Sequence, residues 1–285
     1  MIWIEAARPK TLIASLSPIC IGNAIVYSHP EWSLNVFLCT LIAALSIQIG
    51  TNYVNDYADA LHGRDTAIRK GPRRLTSAGC VTPRSMKIAA SIAFVLAFLS
   101  SLFLIYKGGY PIALLTLISI GLGYLYSLTR FSLSSTGTAD VFVLLFFGVL
   151  ATGFSAYLQT GFYLKEAFLA GLAPGALSTA ILAINNLRDY EEDLLTNKRT
   201  LIVRLGRKAG CLEYLFATYL AAMTPCLLIL LTKGHVFSLM ATFSLFTLLP
   251  LIHNVFQLTH LPQVLSKTGF ALFLYTLLFT MGWNL

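Results

Sequence analysis

Asn52-Tyr53-Val54-Asn55-Asp56-Tyr57-Ala58-Asp59 closes one long apolar run of this chain, and Asn185-Asn186-Leu187-Arg188-Asp189-Tyr190-Glu191-Glu192-Asp193 closes another. The first continues through Gly63 and Arg64 to Asp65. Around these runs the chain reads as a membrane protein. Of its 285 residues, 56% are hydrophobic and 11% charged, where a soluble domain carries about 25% charged residues. Ionisable groups at membrane depth are expensive unless paired or solvated, so both acidic clusters are functional candidates. The expected fold class is an all-α polytopic membrane protein, with one domain over residues 1–285.

Hydropathy predicts nine transmembrane helices, over 11–28, 34–57, 86–106, 110–128, 138–158, 167–189, 211–231, 236–256 and 268–284. Each is long enough to cross about 30 Å of hydrocarbon. Breaks fall at His29-Pro30-Glu31, Lys107-Gly108-Gly109, Lys233-Gly234 and His260-Leu261-Pro262. Of the 20 Lys and Arg residues, only Lys107, Lys165 and Lys233 lie on the side opposite the N-terminus. The positive-inside rule then puts the N-terminus and both acidic clusters in the cytoplasm and the C-terminus outside, in the cell (inner) membrane. The first apolar run, after Lys10, reads as a retained span and not a cleaved signal. The five cysteines form no CxxC pair and read as small buried hydrophobes. The net charge of +8 resides in cytoplasmic loops. The lipid bilayer is therefore an expected partner, and nucleic acid is not.

Residues three and four apart share a helix face. Asn52, Asn55, Asp56 and Asp59 form one such stripe; Asn185 or Asn186 forms another with Asp189 and Asp193. Hard oxygen donors suit Mg²⁺, which is held by one or two carboxylates plus substrate phosphates and water. No His or Cys stands at zinc-like spacing. Basic loops follow each cluster. The cations nearest the carboxylates are Arg73, Arg74, Lys198 and Arg199, and such groups grip phosphate oxygens through charge-assisted hydrogen bonds. Arg84, Lys87, Arg204, Arg207 and Lys208 read as topology anchors. Metal and cations over a diphosphate would stabilise it as a leaving group. In a cavity open to lipid, that diphosphate would carry a lipid tail.

These motifs resemble those of the UbiA-type intramembrane aromatic prenyltransferases. Finer runs resemble the branch that prenylates 1,4-dihydroxy-2-naphthoate for menaquinone. They are Ala7 to Leu12, Gln48 to Tyr57, Gly71 to Gly79, Ala139 to Gly148 and Asn185 to Gly206. The run from Gly123 to Arg130 is closer to other branches, so 4-hydroxybenzoate or another quinone or haem precursor stays open as acceptor. The resemblance implies a nine-helix bundle with a central cavity, Mg²⁺, a polyprenyl diphosphate and an aromatic acid acceptor. It implies a first metal–diphosphate site at Asn55, Asp59 and Asp65 and a second at Asp189 and Asp193, with Lys198, Arg73 and Arg74 assisting.

The expected chemistry is ionisation of the allylic C–O bond and attack by the aromatic carbon. A naphthoate would then lose CO₂, and a hydroxybenzoate a proton. The full candidate metal set is Asn55, Asp56, Asp59, Asp65, Asp189 and Asp193. Asn52 and Asn186 are candidate substrate contacts. Tyr124 and Tyr126 are expected to offer aromatic faces to the cation, Arg130 to pair an acceptor carboxylate, and Asp140 to orient a loop arginine. The alternative from another class is an ion-coupled transporter, whose charges would lie near the middle of the spans.

Overall fold

The computed structural model describes residues 2–63, 71, 73–128 and 133–285, and the side chains of all of these save 126–128 and 134. Every regular element among the described residues is helical. A short helix, α1 (Ile2–Ala7), leads into α2 (Pro9–Ile25), where Pro9 suits the first helical position with its preset φ. α3 (Leu34–Leu61) starts at the predicted residue but runs on past 57. It carries the whole first acidic cluster as helix and stops at Gly63, which takes a positive φ of 59°. α4 (Pro83–Leu128) is interrupted at Gly109 (φ 70°, ψ −156°), at the predicted break. Its two arms double back, bringing Phe94 of the first to 5.9 Å, ring centre to ring centre, from Tyr124 of the second.

Then follow α5 (Ala139–Thr160), α6 (Lys165–Arg188), α7 (Tyr190–Leu195), α8 (Arg207–Thr232), α9 (Val236–Gln257) and α10 (Leu261–Trp283). α10 begins at Leu261, not at 268, because Pro262 sits in its first turn, where a missing N–H costs nothing. Seven helices among the described residues are long and apolar enough to cross a membrane: α3, α4, α5, α6, α8, α9 and α10. α4 counts once there although Gly109 divides it, and α2 has 17 residues.

α6 is the innermost span. In it 67% of the apolar stretch is buried, against 28–39% in the other six. Between apolar helices in lipid, close packing rather than hydrophobic transfer drives association, and small residues permit it. Ala173, Ala176, Ala180 and Ala183 let α8 and α10 close on one side of α6, sealing Tyr214, Tyr275 and Phe279 inside. Tyr214 Oη lies 3.1 Å from Thr268 Oγ1, and Tyr275 Oη donates to the Ala221 carbonyl, so neither buried phenol is unsatisfied. On the α5 side, a Cβ added to Gly148 would stand 2.4 Å from the Gly171 carbonyl oxygen, so glycine sets that helix spacing. The remaining flank of α6 is not filled. It faces a cavity of about 330 Å³ enclosed with α2, α3, α4 and α5.

Candidate active site at the cavity rim

The cavity is mainly apolar along its depth, with scattered hydroxyl and amide side chains, and more polar at one end. Leu104, Ile112 and Leu158 line it where they also join a buried cluster. Phe142, Phe146, Phe147 and Phe154 supply aromatic faces. Phe142 and Phe146 stack at 6.1 Å between ring centres. Consecutive α-helical residues point about 100° apart, yet Phe146 and Phe147 both reach the cavity. A π turn over Leu145–Val149 widens the helix there.

Arg8, Asn52, Asn55 and Asn185 form the polar end. Asn52 Nδ2 donates to the Ala7 carbonyl at 2.8 Å and to Thr11 Oγ1 at 3.2 Å. Tyr53 Oη donates to the Trp3 carbonyl at 3.0 Å. Together they fasten the α1–α2 junction to α3, and Arg8 at that junction adopts a positive φ of 53°. One helical turn beyond the asparagines, about 6 Å on, lie Asp59 after Asn55 and Asp189 after Asn185.

Each of these carboxylates meets a cation. Arg74, itself buried, pairs with Asp59. Arg188 forks onto Asp189, Nε to Oδ1 and Nη2 to Oδ2, both at 2.7 Å. Lys198 folds back over α7: its backbone N–H donates to the Asp193 carbonyl at 2.9 Å and its Nζ to Asp193 Oδ1 at 3.0 Å. Burial pushes the Asp193 carboxyl up to about 6, with Lys198 opposing the shift. Its Oδ2 is buried with no hydrogen-bond partner.

Several expectations need correction. Asp56 is not free for metal: its Oδ2 accepts the Leu75 N–H at 3.0 Å and its Oδ1 the Thr76 N–H at 2.9 Å, which binds it to the loop after α3. Asn186 is buried away from the cavity, and its neighbour Asn185 lines it instead. Tyr124 packs on Phe94 within a buried cluster and does not line the cavity, where Leu122 and Gly123 stand. Asp140 faces the Glu213 carboxyl of α8, not a loop arginine. Arg73 is exposed. Asp65, Arg130 and the side chain of Tyr126 lie outside the described residues.

Sequence reasoning passed over Asn185 as the cavity residue of its pair, the Arg188 fork, Arg8 and the four phenylalanines. Two of these had a signal. Arg188 abuts Asp189 inside the quoted motif, and the phenylalanine run follows Asp140 directly. The oxygen donors Asn55, Asp59, Asp189 and Asp193 are those that would hold a divalent ion. Among the described residues no three His, Cys, Asp or Glu side chains converge to hold a metal by themselves.

A model of the UbiA prenyltransferase family matches residues 15–282. The 1,4-dihydroxy-2-naphthoate octaprenyltransferase of Escherichia coli K12 is 38% identical over 210 residues, 72% of this chain and 68% of that protein. Its namesake from Haemophilus influenzae is 32% identical over 297 aligned residues, 98% of this chain and 94% of that protein. Among solved structures, the apo UbiA homolog from Aeropyrum pernix K1 matches with a TM-score of 0.75 at 14% identity, covering 94% of this chain and 96% of that one. A UbiA homolog from Archaeoglobus fulgidus, bound to DMAPP and Mg²⁺, matches at 0.66 and 15% identity over 99% of both chains. The structural likeness speaks for the fold, and the sequence matches go further: the chain belongs to the UbiA prenyltransferase family.

Proposed function

We propose that this chain transfers a polyprenyl group from polyprenyl diphosphate to 1,4-dihydroxy-2-naphthoate, with loss of the acceptor's carboxyl group as CO₂, in menaquinone biosynthesis. The observation that carries the reading is one mainly apolar cavity whose polar end holds Arg8, Asn55 and Asn185, with Asp59 and Asp189, each paired to an arginine, one turn beyond those asparagines. Among the described residues Arg8 is the one charged side chain on the cavity wall, which disfavours an ion-coupled transporter with charges at mid-membrane. The naphthoate prenyltransferases among the relatives favour this acceptor.

Mg²⁺ is the metal we assign; Asn55, Asp59 and Asp65 would hold one ion, and Asp189 and Asp193 a second. The donors are all oxygens, and the orphaned Asp193 Oδ2 fits such an ion. When bound, Mg²⁺ supplies positive charge that stabilises the departing diphosphate. Lys198 and Arg74 assist by turning from carboxylates to phosphate oxygens, and Arg73 adds a further cation. The phenylalanines keep water from the reacting carbon and face the allylic cation. The allylic C–O bond breaks toward diphosphate, a C–C bond forms at the ring carbon bearing the carboxylate, and that carboxylate leaves as CO₂.

The same reading sets nine spans in one domain over residues 1–285, counting α2 and both arms of α4, with the N-terminus and the rim in the cytoplasm. The test supplies membranes with labelled polyprenyl diphosphate, Mg²⁺, and either 1,4-dihydroxy-2-naphthoate or 4-hydroxybenzoate. Prenylated product with CO₂ release from the naphthoate alone is expected. Product from the hydroxybenzoate alone would move the enzyme to another quinone pathway.

A further inference from the structure

Most hydroxyls on the cavity wall are already engaged by their own helices. Thr40 donates to the Val36 carbonyl, Thr51 to Ile47 and Ser101 to Ala97. Two lining residues differ. Gln48 of α3 is 9% exposed, and its Oε1 is buried with no partner. Ser178 of α6 is 4% exposed, and its Oγ is likewise without one. A buried polar atom left unpaired is costly, and its persistence calls for an explanation.

Their positions are matched. Gln48 precedes Asn55 by seven residues, and Ser178 precedes Asn185 by seven. Seven residues are two turns, so each stands on the same face as its asparagine, about 10 Å deeper. Two helices that line the cavity, α3 and α6, therefore carry one hydrogen-bonding group each about 10 Å deeper than their asparagines, below the rim at which the diphosphate is proposed to bind.

We propose that Gln48 and Ser178 form a polar recess that recognises the hydroxyl of the aromatic acceptor farthest from the reacting carbon. This rests on the naphthoate reading above. In 1,4-dihydroxy-2-naphthoate the 1-hydroxyl lies beside the carboxylate and hydrogen-bonds to it. The 4-hydroxyl across the ring has no internal partner. With the reacting carbon under the diphosphate, that hydroxyl points deeper into the cavity. Gln48 Oε1 accepts its proton and Ser178 Oγ donates to its oxygen. A half-turn of the Gln48 amide exchanges donor for acceptor, so the recess serves either orientation.

The test compares 1,4-dihydroxy-2-naphthoate with 1-hydroxy-2-naphthoate, which keeps the activating 1-hydroxyl and lacks only the distal one. Wild-type membranes should prefer the dihydroxy acid by roughly tenfold to a hundredfold in kcat/KM, the scale of a buried hydrogen bond. In Gln48→Leu that preference should collapse toward one, with KM for polyprenyl diphosphate unchanged. Ser178→Ala, a smaller change to the wall, should reduce it in part. A preference in both variants equal to wild type, or an equal loss on both acceptors, would overturn the recess while leaving the enzyme's function intact. No product from either naphthoate in wild type would instead overturn the functional reading, and the recess with it.

Discussion

The two acidic clusters follow asparagines that line one cavity, Asn55 and Asn185, yet they are held in different ways. The first is built into a distant loop. Asp56 accepts two backbone N–H groups from Leu75 and Thr76, and Asp59 pairs with Arg74. The second is nearly self-contained, with Asp189 paired to the adjacent Arg188 and Asp193 to Lys198 five residues on. Backbone hydrogen bonds fix a loop in place, whereas a side-chain ion pair can be traded for a phosphate oxygen. On the proposed reading, Asp56 would serve the architecture of the first cluster and Asp59 its chemistry, while in the second both paired carboxylates would exchange partners.

The strongest way to break this contrast is to neutralise the exchanging carboxylates. Asp59→Asn and Asp193→Asn should each lower kcat by roughly 10³-fold, the scale of losing an electrostatic stabiliser of a leaving group, while both proteins still fold cooperatively in detergent. Near-normal turnover in both would end the site assignment. Asp56→Ala should act differently. Losing two hydrogen bonds to a charged acceptor, each worth about 1.5–3 kcal/mol, should lower thermal stability and open the loop at residues 73–80 to protease. Unaltered protease resistance would show that the loop does not depend on Asp56.

Smaller effects sharpen the second cluster. Lys198→Ala should raise KM for polyprenyl diphosphate by roughly tenfold, the loss of one charge-assisted hydrogen bond, with little change in KM for the acceptor. An equal rise for both substrates would make Lys198 a structural residue. The mildest effect is one of pH. Asp193 titrates near 6 because it is buried, and a proton there competes with metal. The Mg²⁺ concentration for half-maximal activity should be flat from pH 7 to 8 and rise about tenfold per unit below about 6. Stability runs the other way. The folded carboxyl holds its proton more tightly than the unfolded chain does. Its contribution is therefore full below the unfolded pKa and is lost as pH rises through about 6. A Mg²⁺ requirement that stays flat down to pH 5 would remove Asp193 from the metal set.

Much of the architecture was legible because lipid imposes a simple code. Apolar length predicted the start of α3, the Lys107-Gly108-Gly109 run the break at Gly109, and residues four apart placed Asn55 and Asp59 on one face. What escaped depended on contacts distant in sequence. The stripe through Asn52, Asn55, Asp56 and Asp59 spans an arc, and periodicity cannot tell which edge of it meets a returning loop; Asp56 fell on that edge. Asn185 and Asn186 point about 100° apart, and only the packing of α6 against α8 decides which sees the cavity. Tyr124 sat at the right depth on the wrong face, because the two arms of α4 close on each other through Phe94.

The π turn in α5 holds one residue more than an α-helix would need over the same rise. That surplus sets the phase between the two halves of the helix. Upstream, Phe142 lines the cavity, and within the turn Phe146 and Phe147 do. Downstream, Gly153 abuts Phe168 so closely that a Cβ would lie 2.3 Å from its ring. Deleting one residue from Leu145–Val149 would restore regular winding and rotate one half against the other by about 100°. The helix would then have to give up either its aromatic wall or its seat against α6. The extra residue thus holds two half-helices in the one relative rotation at which each of them both lines the cavity and packs on α6.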